Sequence, residues 1–262
     1  MVRFGMPSLI ETRTVAQSAA VCRELGLDFI ELNANFPQFQ SQNLDAQELN
    51  RLAAEYGIHY TIHLDDNLNI ADFNDHVADA YCQTVRETVE LAKKTGAAVL
   101  NMHMAKGAVY TLPHKKVYFF DEYRQQYLDR IRAFRDMCHR WIGDSGIVLC
   151  VENSSGYLDF HREAIDVLLE SPVFGLTLDT GHNHCTDGVD ESFIRERSSR
   201  LRHMHLHDAL GKQDHLPLGA GELNAAAFLH LAGTCGCTVV LETKTEDGLR
   251  QSVRWLRENT GR

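Results

Sequence analysis

Apolar residues in this chain fall into short runs separated by longer segments in which they recur every three or four positions, and the two rhythms alternate from end to end. Residues 2–6 read as a short buried strand. Residues 14–25 follow as a helix stopped by Gly26, a residue that readily takes the left-handed C-terminal cap conformation. The unit then repeats. Residues 29–32 form a strand, Asp45 caps a helix running to Tyr56 and ended by Gly57, residues 58–63 alternate as a third strand, and 74–94 form a long helix stopped by Gly96. The remaining strands are 98–103, 147–152, 175–179, 201–207 and 237–242, and the remaining helices 118–141, 160–169, 190–197, 224–232 and 246–258. About eight strand–helix units over about 250 residues have the size and order of a (β/α)8 TIM barrel, here one α/β domain over 1–262. A doubly wound open sheet is the alternative, but it takes fewer units and a Gly-rich first turn that this chain lacks.

Composition refines this picture rather than redirecting it. With 44% hydrophobic and 24% charged residues, 18 Gly and 5 Pro, the chain suits a packed globular core and not a disordered or fibrous one. Residues 1–7 lack the apolar stretch of a signal peptide, and no run of about 18 apolar residues occurs, so the expectation is a cytoplasmic protein without membrane contact. The 7 cysteines are odd in number and form no C-x-x-C pair, which points to reduced thiols rather than disulfides or a thiolate zinc site. A net charge of −10 argues against a nucleic-acid surface, although a local basic rim can sit on an acidic protein.

The chemistry concentrates where strands end. In a closed barrel those C-terminal ends meet on the face where barrel active sites are built. They carry Glu31, His63, His103, Glu152, Asp179, His205 and Glu242; His182 follows in L-T-L-D-T-G-H-N-H at 176–184, and His215 lies in a loop. Carboxylate oxygens beside imidazole nitrogens invite a divalent metal. Each residue also has a plainer reading: Asp179 as a helix cap, Glu31 as a buried hydrogen-bonding partner, His63 or His103 as a satisfied core histidine. Glu152 and Glu242 fit the plain reading worst, because an ionised carboxylate after an apolar run is costly without a cation or hydrogen bonds. His205 and His207 share one face at period two, and one of them is expected to reach the metal.

The segments V-L-C-V-E-N at 148–153, L-D-T-G-H at 178–182, H-M-H-L-H-D at 203–208, H-L-P-L-G-A-G at 215–221 and V-L-E at 240–242 resemble the xylose isomerase-like TIM-barrel superfamily, essentially over the whole chain. That superfamily holds sugar phosphate isomerases and epimerases together with endonuclease IV. The resemblance implies a metal held by Glu152, Asp179, His205 and Glu242, with one to three divalent ions per chain drawn from Zn, Mn, Mg or Co. It further implies an isomerase or epimerase acting on a small polyhydroxy carbonyl substrate through a metal-stabilised enediolate, with Glu152 and Glu242 as paired acid and base. His182 would bind substrate in the epimerase branch or a further metal in the endonuclease branch. His63, His103 and His215 match positions that complete a three-zinc cluster in endonuclease IV, which makes a zinc phosphoester hydrolase the alternative; a binding protein that kept the barrel and lost turnover is a third reading.

Departures from both branches shape the expectation. Gln213 stands where the nuclease carries Asp, leaving Asp208 or Asp214 to supply that carboxylate, and the acidic pair in L-D-D-N-L at 64–68 would repel a phosphate backbone. Gly211 and Lys212 occupy the region where ketohexose epimerases carry an arginine. Glu31, Asp208 and Lys212 are the outer candidates for substrate contact, and Lys106 and Lys244 also sit near strand ends. Loops 33–43, 64–73, 104–117 and 208–222 would set specificity, the third being long enough for a lid. Trp141 and Trp255 fall on helices that pack on the barrel or on a partner subunit, which leaves a homo-oligomer open; the other expected partner is a small-molecule substrate, not nucleic acid.

Overall fold

The structure, a computed structural model, describes residues 2–261 and leaves Met1 and Arg262 outside. Alternation within the strands decides its architecture. Strands β1 (Arg3–Pro7), β2 (Phe29–Asn33), β3 (His59–His63), β4 (Val99–His103), β5 (Val148–Glu152), β6 (Phe174–Asp179), β7 (Leu201–Leu206) and β8 (Thr238–Leu241) each pair in parallel with the next, and β8 returns to β1 to close the barrel. Successive side chains point to opposite faces of the wall. Outward positions such as Leu32, Ile62, Met102, Val151, Leu178 and Leu206 are buried in the hydrophobic core between strands and helices. Burying each such side chain stabilises the chain by about 1.5–3 kcal/mol.

The inward positions are largely polar. Glu31, Thr61, Asn101, Cys150, Thr177, His203 and Thr238 are all buried within the barrel, so the lumen holds a hydrogen-bonded network rather than the usual branched aliphatics. Below them, Gly5 of β1 makes room for a ring: a Cβ there would lie 2.4 Å from Phe29.

Caps place the surrounding helices. Thr14 forms a capping box with Gln17 at the start of Val15–Glu24, Asp45 caps Ala46–Tyr56, Asn74 caps Asp75–Thr95, and Gly57 and Gly96 end the latter two in the left-handed conformation. Several boundaries differ from the periodicity. The 118–141 segment is two helices, Phe119–Glu122 and Arg124–Ile142, broken where Tyr123 leaves helical geometry at ψ 44. β7 stops at Leu206 because Asp208–Leu210 folds into an antiparallel hairpin with Gln213–Leu216. The 104–117 loop carries a second hairpin, Val109–Thr111 with Lys116–Tyr118. Trp141 and Trp255 pack against the hydrophobic core. Among the described residues, no helix is long and apolar enough to cross a membrane.

Candidate metal centre

Register brings the ligand candidates together. Glu152 and Asp179 end β5 and β6, Asp179 is level with His205, and Val240 is level with His205, which sets Glu242, just past β8, one step above. One ligand atom from each of Glu152, Asp179, His205 and Glu242 lies within 4.8 Å of the other three. His205 Nδ1 stands 3.3 Å from Glu152 Oε1, 2.9 Å from Glu242 Oε2 and 3.8 Å from Asp179 Oδ2. Metal–ligand distances of about 2.0–2.2 Å give ligand–ligand edges of about 3–3.6 Å, and the contacts around His205 Nδ1 bracket that spacing, close to what one small divalent ion needs. Orientation agrees with distance. His205 Nδ1 and Glu242 Oε2 are buried without a hydrogen-bond partner, although only 2.9 Å apart: the contact has an ion pair's length and lacks a hydrogen bond's angle. Lone pairs that converge on a shared space instead of on each other fit a cation.

Electrostatics points the same way. Burial alone would lower the His205 pKa, but Glu152, Glu31 and Glu242 outweigh it and hold the imidazole well above the usual histidine range. Burial would conversely raise Glu152 and Glu242; His205 outweighs it at both, with His103 adding at Glu152, and holds them well below the usual carboxylate range. Several ionised carboxylates in one buried space are costly unless a proton or a metal neutralises them.

Asp179 unites both of its sequence readings. Its Oδ1 accepts from the backbone N–H of His182 at 2.6 Å, capping the helix Thr180–Cys185 that the periodicity does not reveal. The same carboxylate accepts from His207 Nε2 at 3.0 Å, and Asn153 clamps Asp179's backbone through both its N–H and its C=O. Of the period-two pair, therefore, His205 reaches the cluster and His207 stands behind it. The fit is tight: a Cβ on Gly181 would lie 2.1 Å from the His207 ring. His207 Nδ1 accepts from the backbone N–H of His215 at 2.7 Å, where His215 takes a left-handed φ of 55°, unusual for a non-glycine residue.

The remaining histidines form two flanks. His63 Nε2 and His103 Nε2 each lie 3.3 Å from Glu152 Oε2, and His63 Nδ1 contacts the carbonyl of Leu64 at 2.7 Å. Burial works to lower His63, but Glu152 beside it outweighs this and its pKa is pushed up to about 9. On the other flank His182 Nδ1 is 3.7 Å from Glu152 and 3.6 Å from Asp179, its Nε2 is 3.6 Å from Asp214, and Asp214 bonds His215 Nδ1 at 2.8 Å. Asp214, not Asp208, is thus the carboxylate beside these histidines.

The outer candidates lie elsewhere. Asp208 is buried and accepts from the backbone amides of Ala209, Gly219 and Leu223, so it holds its loop together. Lys212 turns away to Asp187 at 3.0 Å and the Cys185 carbonyl at 2.7 Å. Glu31 sits two residues below the end of β2, in the polar ring under His205. Lys244, by contrast, reaches Glu242 at 2.9 Å on the rim. Asp66, in the sequence one of an acidic pair set to repel a phosphate backbone, lies 3.5 Å from His103 Nδ1 and 3.8 Å from His63 Nδ1. Its position three residues after His63 was the available signal. Asn101, which donates to Glu152 Oε2, carried none.

A closed parallel barrel with carboxylate and imidazole groups gathered at its C-terminal face defines a TIM barrel with a candidate metal centre of mixed oxygen and nitrogen donors. The profile of the xylose isomerase-like TIM barrel family matches residues 19–259, and the chain belongs to that family. Among solved structures it is similar to a D-tagatose 3-epimerase-like protein, with a TM-score of 0.78 at 23% identity over 98% of this chain and 96% of that one. It is similar to the 3-keto-D-glucoside 4-epimerase YcjR from E. coli, with a TM-score of 0.75 at 18% identity over 98% and 100%. It is also similar to the IolI protein with a bound zinc atom, with a TM-score of 0.72 at 12% identity over 98% and 97%.

Proposed function

We propose that the chain is a divalent-metal-dependent isomerase or epimerase acting on a small polyhydroxy carbonyl compound. The observation that carries this reading is the approach of two carboxylates, the buried Glu152 and the partly buried Glu242, to one imidazole nitrogen from strands on either side of β7 and β6. Glu152, Asp179, His205 and Glu242 would hold the metal, which when bound supplies Lewis-acid polarisation of adjacent carbonyl and hydroxyl oxygens. The chain's own residues do the proton work. One glutamate takes a proton from the carbon beside the carbonyl, and the other returns one from the opposite side. Lys244 at the rim adds to His205 in keeping Glu242 ionised, while His182 and His215 face the same space and orient substrate oxygens. The D-tagatose 3-epimerase-like protein and the keto-glucoside epimerase of the same fold support a sugar-like substrate, and Lys212, directed to Asp187, leaves the choice of sugar to the other loops.

The test is a panel of ketoses, aldoses and keto-polyols, with the protein loaded in turn with Zn, Mn, Mg or Co, read as isomer formation and as deuterium uptake from solvent at carbon. Glu152→Gln should lower turnover by about 10²–10⁴-fold. Full turnover in that variant would remove the acid–base role.

A second reading, zinc-dependent phosphoester hydrolysis, is favoured by one observation: two histidine nitrogens lie 3.3 Å from the second oxygen of Glu152. Elemental analysis separates the two. About one ion per chain, unchanged in a His63→Ala, His103→Ala double variant, leaves the isomerase reading standing. Two or three zinc ions that fall in the variant move the search to phosphoesters.

A further inference from the structure

Beneath the cluster lies a second, wholly buried group of polar side chains that touches the outside of the barrel nowhere. Glu31, His203 and His205 are exposed by 3%, 0% and 1%, and they come from β2 and β7 across the lumen. Glu31 Oε1 stands 2.8 Å from His205 Nε2. Its other oxygen, Oε2, is 2.9 Å from His203 Nε2 and accepts from Thr61 Oγ1 at 3.0 Å. His203 Nδ1 in turn lies 2.6 Å from Thr238 Oγ1.

Donor and acceptor arithmetic assigns the protons. An ionised carboxylate only accepts, so His203 presents Nε2–H to Glu31, and its Nδ1 accepts the Thr238 hydroxyl proton. The same rule has His205 present Nε2–H to Glu31, so Nδ1 is the nitrogen that faces Glu152, Asp179 and Glu242 and offers its lone pair to an ion that displaces its proton. The His205 contact is short and not collinear with the ring N–H, since Nε2 meets the distance of an ion pair and not the angle of a hydrogen bond.

We propose that Glu31 is the positioning residue of the metal site: it fixes His205 in the tautomer that offers Nδ1 to the ion, while His203, Thr61 and Thr238 hold Glu31 in place. This rests on the four-residue metal reading above. A metal-ligating histidine commonly gives its other N–H to a carboxylate, and losing that partner costs about 10–100-fold in metal affinity. Glu31 is too deep to touch substrate. Its own coordination of a metal would compete with the Thr61 hydroxyl already on Oε2 and with the Nε2–H of each histidine.

Glu31→Gln keeps the shape and replaces one acceptor by an NH2 donor, which must face a histidine N–H or the Thr61 hydroxyl. Relief of that clash at His205 moves the proton to Nδ1 and blocks the metal. Glu31→Asp keeps the charge and withdraws it by one methylene. Metal-free wild type and both variants are to be compared for Zn2+ and Co2+ affinity by competition with a chromogenic chelator, with circular dichroism confirming the fold and the visible Co2+ spectrum recorded at saturation. Both variants should bind about 10–100-fold more weakly, with the Co2+ bands shifted at saturation, a change that loss of stability alone does not produce. A folded Glu31→Gln that binds both ions within about twofold of wild type and leaves the bands in place overturns the proposal alone. Should Glu31→Gln fail to fold, the same result in Glu31→Asp overturns it. Wild type that binds neither ion overturns the metal reading and the proposal with it.

Discussion

On the outer face of the barrel wall Ile62, Met102, Val151 and Leu178 meet the helices through apolar contact alone; one residue along each strand, on the inner face, His63, His103, Glu152 and Asp179 meet each other through charge. Histidine shows the difference most directly. In the lumen, His63 is pushed up to about 9 because Glu152 outweighs its burial. Outside the wall, His161 is equally buried and pushed down to about 4, because burial acts there with no carboxylate to oppose it. One sheet therefore separates a shell whose energy is non-directional from a lumen whose energy depends on partners being present. Substitutions in the first should cost stability and spare the site; in the second they should do the reverse.

The largest effect is expected at Asp179. Asp179→Ala removes a metal candidate, the acceptor for His207 and the cap of Thr180–Cys185. Metal affinity should fall by more than ~100-fold, beyond what loss of an outer partner causes, measured by chelator competition. The lost cap should take about 1 kcal/mol from the metal-free protein, read by urea unfolding. Unchanged metal affinity would break the assignment of the lumen as the site.

How much of this contrast the sequence discloses follows from its physics. The barrel is legible because period-two runs and glycine-stopped helices are local signals, and Gly57 and Gly96 cap the helices they were expected to end. The gathering of Glu152, Asp179, His205 and Glu242 is legible because strand ends converge in any closed barrel. Depth is not. Glu31 reads as a strand end like the others, yet register sets it two residues lower, level with Thr61. Asn101 and Thr177 look like ordinary strand residues, and only the closed lumen brings the Thr177 hydroxyl to 2.6 Å from Asn101 and Asn101 onto Glu152. The helix after Asp179 was hidden because Thr-Gly-His-Asn-His carries no apolar period; its cap and its packing on His207 create it.

Phe134 tests the shell. It is fully buried on Arg124–Ile142 with its ring 6.0 Å from that of Phe174. Phe134→Ala should cost about 3–5 kcal/mol in urea unfolding, with metal affinity of the folded protein unchanged. A fall in affinity matching the fall in stability would mean that the wall transmits packing into the lumen, and the separation would fail.

His161 sharpens the comparison, because it is a polar group placed in the shell. Its Nδ1 accepts from the backbone N–H of Leu158 at 3.3 Å, and its Nε2 donates to the carbonyl of Ala105 at 3.1 Å, tying Asp159–Leu169 to the start of the 104–117 loop. A second proton would point Nδ1–H at the Leu158 N–H, so the fold resists it. The folded pKa of about 4 lies below the unfolded value, and between the two only the unfolded chain takes the proton. Stability from this residue is complete above an unfolded pKa of about 6.5 and is lost as the pH falls towards the folded one, by roughly 2–3 kcal/mol between pH 7.5 and 4.5. His161→Gln removes the titration, so its stability difference from wild type in urea should shrink by that amount over the same range. A difference that holds constant with pH would show that the shell accepts the imidazolium as readily as water does, and the histidines inside and outside the wall would no longer differ in kind.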